Sequence, residues 1–185
     1  GDSGIDGRGV TNFSFTNGTI ADVPDVGLAS AIGFNHDGAD PNVTNNISGT
    51  LTVTANTFTN AGFAAVDVHE NASTIDQANI SNNTITNPGG GAINFIGDGN
   101  VFNVFSLSGA TIANNIINAG NGIQIAIQNL SGSGPTAHAG FTTFDPNGPE
   151  PFSDPNHIVS ITGNTITLDG NDTNAIELTS TMSEA

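Results

Sequence analysis

The side chains able to do chemistry in this chain are almost all carboxylates and amides. Its 185 residues hold 17 Asp and Glu against one basic residue, Arg8, and no cysteine. Two acidic turns stand out, Asp37-Gly38-Ala39-Asp40 and Asp169-Gly170-Asn171-Asp172, with Asp2 and Asp6 near the start. Oxygen-rich turns suit a hard cation such as calcium. Asp169, Asp172, Asp37 and Asp40 are therefore the candidate calcium ligands, the first two ahead of the others. Neither turn has the twelve-residue EF-hand spacing or the glycine-rich nonapeptide pattern, and Asp and Asn serve tight turns equally well. No other cofactor is expected. His36, His69, His138 and His157 are scattered, with no spacing that converges on zinc.

The charge balance excludes several function classes. A net charge of −16 repels phosphate backbones and anionic lipid surfaces, so neither nucleic acid nor membrane insertion is expected. No apolar run approaches the 18 residues of a membrane span. Without cysteine there are no disulfides or thiolate metal sites. Low Lys and Cys with abundant Asn, Thr and Gly point to a secreted bacterial surface protein. The opening GDSGIDG carries neither Met nor a signal peptide, which reads as a processed product or a piece of something longer.

The elements that must position these residues are repeated. Asn-x-Φ, with Φ apolar, followed about ten residues later by small-Φ-x-Φ, occurs four times and once in degenerate form. The first halves are FTNGTI (15–20), VTANTF (53–58), ISNNTI (80–85), IANNII (112–117) and ITGNTI (161–166). The second halves are AIGF (31–34), AVDV (65–68), AINF (92–95), GIQI (122–125) and AIEL (175–178). Period-two alternation predicts short strands with one buried face. The intervals between Gly18, Asn56, Asn83, Asn115 and Asn164 are 38, 27, 32 and 49 residues. Irregular intervals with constant strand motifs are the pattern of a solenoid whose insertions sit outside the coil. Asn56, Asn83, Asn115 and Asn164 are expected to stack as a ladder, since an amide supplies both donor and acceptor to a buried bend. Gly18 breaks that ladder.

These repeats, NISNNTITN followed by GGGAINFIG in particular, resemble the right-handed parallel β-helix of the pectate-lyase-like superfamily. The runs GRGVTNFSFTNGTI and ISGTLTVTANTFTNAGFAAVDV resemble modules of very large secreted bacterial repeat proteins. The resemblance covers roughly residues 5–180. It implies an all-β, right-handed parallel β-helix of about five rungs, but no single function, because such folds host lyases, hydrolases, adhesins, phage spikes and stalks. The rungs are expected at 10–34, 50–68, 78–96, 110–127 and 158–180, with insertions at 35–48, 97–106 and 128–157. The last insertion carries Phe141, Phe144 and Phe152, which either pin it to the coil wall or form a ligand-binding patch.

Lyases of this fold pair calcium with a basic residue, and hydrolases cluster Asp on neighbouring strands. The chain has only Arg8 for the first. For the second, the outward residues of the small-Φ-x-Φ strands are Gly33, Asp67, Asn94, Gln124 and Glu177. Asp67 and Glu177 lie three rungs, or roughly 14 Å, apart, beyond the ~5–9.5 Å of glycosidase pairs. His69 and Glu70 beside Asp67 read as a solvated strand edge. The expectation is a non-catalytic structural or adhesive module, extracellular or on the cell surface. It would associate through open coil ends into a filament, or through neighbouring rungs of a longer parent chain. The alternative is a β-helix that binds or cleaves cell-surface glycans. A lesser one is an ice-binding face of outward Thr-x-Thr pairs, such as Thr52/Thr54, Thr57/Thr59 and Thr84/Thr86, roughened by Asn79, Ala113, Ile116 and Asn118.

Overall fold

Threonine, isoleucine and valine favour extended backbone, while Asn and Gly favour the bends between. A computed structural model shows the outcome for residues 3–25, 27, 29–34, 46–69, 73–97, 105–107, 109–129, 159–168 and 174–182, which are the residues described. Seventeen strands are present among them, and every strand pairing is parallel. A two-residue strand, β1 (Ile5–Asp6), comes first. The first turn holds β2 (Val10–Thr16), β3 (Thr19–Ala21) and β4 (Ile32–Phe34). The second holds β5 (Ile47–Thr54), β6 (Thr57–Thr59) and β7 (Val66–His69). The third holds β8 (Ser73–Ser81), β9 (Thr84–Thr86) and β10 (Gly91–Gly97). The fourth holds β11 (Phe105–Leu107), β12 (Ala110–Ala113), β13 (Ile116–Ala119) and β14 (Asn121–Asn129). The fifth holds β15 (Val159–Thr162), β16 (Thr165–Leu168) and β17 (Ile176–Met182).

Strands of equivalent position stack into three sheets, so the fold is an all-β parallel β-helix. One sheet runs β1-β4-β7-β10-β14-β17, the second β15-β12-β8-β5-β2 with β11 also on β8, and the third β16-β13-β9-β6-β3. Register is strict. Phe15, Val53, Ile80, Ile112 and Ile161 form one column, and Ile20, Phe58, Ile85, Ile117 and Ile166 another. In the first sheet Ile32, Val66, Ile93, Ile123 and Ile176 align, and Phe34, Val68, Phe95, Ile125 and Leu178 align beside them. The middle members of these columns are fully buried and make one continuous core. Stacking is what stabilises strands of three or four residues, which bury too little alone.

The second sheet extends further than the alternating motif indicated. Ile47 opens β5, Ile75 lies in β8 ahead of its irregular pairing with β5, and Leu107 ends β11 opposite Ile75; all three are fully buried. At the bulge between β2 and β5 Asn12 (φ 56°) lies opposite Gly49 (φ 76°). The Asn12 Oδ1 accepts from the Thr50 backbone N–H at 3.0 Å and occupies the space that a Cβ on Gly49 would need. Residues 105 and 106, within a stretch read as insertion, belong to β11.

Both sharp corners of the coil are made by residues in the left-handed region. Asn17, Ala55, Asn82, Asn114 and Gly163, each just before a ladder position, have φ between 55° and 65°. Asp22, Asn60 and Asn87, just after the third sheet, have φ of 56°, 51° and 50°. Asn and Asp tolerate this region and alanine does so at a cost of about 1–2 kcal/mol. Ala55→Gly should therefore raise the unfolding free energy measured in urea by up to about 1 kcal/mol after the entropic cost of glycine, whereas Ala55→Val should lower it. A fall with glycine would show that the corner is not strained.

Candidate functional site

The most highly organised polar feature lies inside the coil, at the bend between the second and third sheets. Asn56, Asn83 and Asn115 use both hydrogens and the oxygen of their amides. Asn83 Nδ2 donates to the Val53 carbonyl at 2.9 Å and to Asn115 Oδ1 at 2.9 Å. Asn83 Oδ1 accepts from the Asn56 backbone N–H at 3.0 Å and from Asn56 Nδ2 at 3.1 Å. The unit repeats from Asn115 to Asn164, with both donors at 2.9 Å from the Asn164 Oδ1, and Asn115 Nδ2 reaches the Ile80 carbonyl. The next backbone N–H also bonds along the axis, Thr84 to the Asn56 carbonyl and Ile116 to the Asn83 carbonyl. Asn56, Asn83 and Asn115 are almost wholly buried, and these bonds offset the cost of placing amides there.

The ladder ends differently at its two ends. At the first turn Gly18 stands in the asparagine position and its N–H donates to Asn56 Oδ1 at 2.8 Å. A Cβ on Gly18 would overlap the Phe15 ring, which fills the place of the missing side chain. Likewise the Phe34 ring fills the space beside Gly7, and Phe13 meets Phe34 edge-on with ring centroids 5.2 Å apart. At the fifth turn Asn164 Nδ2 donates to the Ile112 carbonyl at 2.8 Å, and among the described residues none accepts from its backbone N–H. There the core column is open, with Ile176 46% and Leu178 55% exposed.

The outer column of the first sheet corrects the reading of Asp67, beside His69 and Glu70, as part of a solvated edge. Register places Asp6, Gly33, Asp67, Asn94, Gln124 and Glu177 in one row. Asp67 and Asn94 are fully buried, not solvated. The Asn94 amide folds back over Gly91, where any Cβ would overlap its Oδ1, and neither its oxygen nor its nitrogen has a hydrogen-bond partner. Further along, Gln124 Nε2 and Asn174 Nδ2 each donate to Glu177 Oε2 at 3.3 Å. Asn94 and Gln124 separate the two carboxylates of Asp67 and Glu177. Arg8 pairs with Asp6 at 3.1 Å in a partly exposed contact, worth little in water.

Among the described residues no three His, Asp or Glu converge on a metal position. The candidate calcium ligands Asp37, Asp40, Asp169 and Asp172 lie outside the described residues, as do Phe141, Phe144, Phe152, Glu70, His36, His138 and His157. On the third sheet Thr19, Thr57, Thr84 and Thr165 form an exposed row, broken by Ile116 at 58% exposure. A second polar contact runs along the far corner, where Asn60 Nδ2 donates to Asp22 Oδ1 at 2.8 Å. Repetition of the ladder asparagine flagged the inner bend. The left-handed residues before it were not singled out, although the Asn-Gly and Asn-Asn pairs at 17–18, 82–83 and 114–115 carried the signal.

No protein-family model matches the chain, and neither a curated protein nor a solved structure matches it.

Replacing Asn83 by Ala removes two donors and leaves two buried donors of Asn56 without their acceptor. The expected loss is about 3 kcal/mol in urea unfolding. Asn83→Asp keeps the acceptor but sets a carboxylate against the Val53 carbonyl and Asn115 Oδ1, so it should not rescue. Thr57→Ala, on the exposed face, should stay within about 0.5 kcal/mol of the parent. Equal losses for Asn83 and Thr57 would remove the ladder as the determinant of stability.

Proposed function

We propose that the chain is a non-catalytic spacer module of a secreted bacterial surface protein, of the pectate-lyase-like β-helix type. Its coil acts as a stiff rod, and whatever it holds is carried by the inserted loops. The observation that carries this reading is the direction of the repeated polar groups. Asn56, Asn83 and Asn115, the asparagines of the second to fourth turns, spend both amide N–H groups and the amide oxygen on neighbouring turns of the same coil. The repetition therefore serves length and stiffness rather than a row of ligand subsites.

Two further observations support it. Asp67 and Asn94, the two polar residues at the middle of the outer column, are buried rather than offered to a polymer in solution. The −16 charge disfavours anionic sugars in particular. The surface location rests on composition alone.

Affinity electrophoresis and reducing-end assays with polygalacturonate and with a neutral β-glucan test the reading. The spacer module should neither slow in the sugar-loaded gel nor release reducing ends. Retardation by either sugar, or product formation lost on heating, would replace the spacer reading with the glycan-binding or glycan-cleaving one.

A further inference from the structure

We infer that the C-terminal end of the coil is a docking face for one kind of partner: a further β-helical turn that carries an asparagine at the ladder position. The N-terminal turn of a second copy is not such a partner. The coil is thus polar, with one receptive end and one closed end.

The geometry of four successive contacts carries the inference. Going from Gly18 to Asn164, every ladder backbone N–H donates to the Oδ1 of the next turn, at 2.8–3.0 Å. The same Oδ1 accepts the Nδ2 of the preceding asparagine wherever there is one. The fifth turn repeats this arrangement up to its last atom. The Asn164 backbone N–H and its second Nδ2 hydrogen have no acceptor among the described residues, and they are the groups that in the earlier turns bond to the next Oδ1. Around them Ile161, Ile166, Ile176 and Leu178 end the four apolar columns, and the last two are exposed. A turn laid there with Ala78, Ile80, Asn83, Ile85, Ile93 and Phe95 in the same pattern would continue an interface already made four times.

The other end cannot supply this. Gly18 has no side-chain oxygen, and the Phe15 ring occupies the place where one would be. A head-to-tail contact between two copies would bring Asn164 no side-chain oxygen at the Gly18 position, leaving both of its donors without an acceptor, and would set β1, which already covers β4, against β17. Unpaired buried donors are costly, so the mismatch selects against stacking of identical copies. The inference does not depend on the spacer role. Retention of a sugar would remove that role and leave the end chemistry as it is.

The test uses the full chain with a copy of residues 73–97 appended after residue 185. Three residues, 183–185, then separate β17 from the copy, the number that separates β7 from β8. Hydrogen exchange of the Asn164 amide should slow by at least about tenfold relative to the parent. The same extension with Asn83→Gly in the copy should give less than half of that protection on a logarithmic scale. No protection from the asparagine-bearing copy, or equal protection from both copies, overturns the inference. In parallel, sedimentation velocity should show a concentration-independent monomer for the parent. Concentration-dependent end-to-end assembly of the parent overturns the claim that identical ends do not match.

Discussion

Each asparagine in the middle of the inner bend, Asn83 and Asn115, faces two ways at once. Its Nδ2 reaches back to a carbonyl of the turn before and forward to the oxygen of the turn after, while its own oxygen gathers two donors from behind. A slip of one residue between turns would break all of these contacts together, and it would also turn each strand's apolar face outward. The bend therefore sets the register for the second and third sheets on either side of it. The remaining structure follows as alignment: isoleucine over isoleucine, threonine over threonine, left-handed residue over left-handed residue. In a coil of this kind each turn touches only its neighbours, so stability accumulates turn by turn. Burial of the amides makes the ladder costly to interrupt in the middle, and cheap to interrupt only at an end.

The ends show how that constraint is relaxed. At the first turn two glycines, Gly7 and Gly18, leave room for the Phe34 and Phe15 rings, so hydrophobic packing replaces a hydrogen-bonded amide. Phenylalanine fits this role because a ring covers much area with few torsions to fix. At the fifth turn no such substitution occurs, and the aliphatic columns meet solvent directly. Exposed apolar surface beside unused strand edges is a liability for a free protein and a resource for an assembled one.

The fold was legible in the sequence because the strand motif repeats with its polar and apolar positions intact. Ile80, Asn83 and Ile85 read the same way as Ile112, Asn115 and Ile117, and stacking gives identical residues identical environments. The corners were less legible. A left-handed backbone at Ala55 has no sequence mark, since alanine is an ordinary residue there, whereas Asn82 and Asn114 were readable in principle. The outer column misled for a physical reason. Alternation says which face a residue is on, and Asp67 and Asn94 are indeed on the outer face, but it does not say whether that face is covered. The calcium turns and the phenylalanine-bearing loop fall outside the described residues and belong to stretches without the repeat, where pattern gives no leverage.

The uneven spacing of the ladder positions has a mechanical side. Strands lie across the coil axis and their hydrogen bonds lie along it, so a pull along the axis loads three short sheets together, one turn at a time. Each turn that opens releases the chain stored between successive ladder positions, which is 38, 27, 32 or 49 residues. At about 3.3–3.6 Å per residue this is roughly 90 to 180 Å of slack per event. A rod built this way is rigid under small loads and lengthens in unequal steps under large ones, so the insertions act as stored rope and the amide ladder as the series of catches that pays it out.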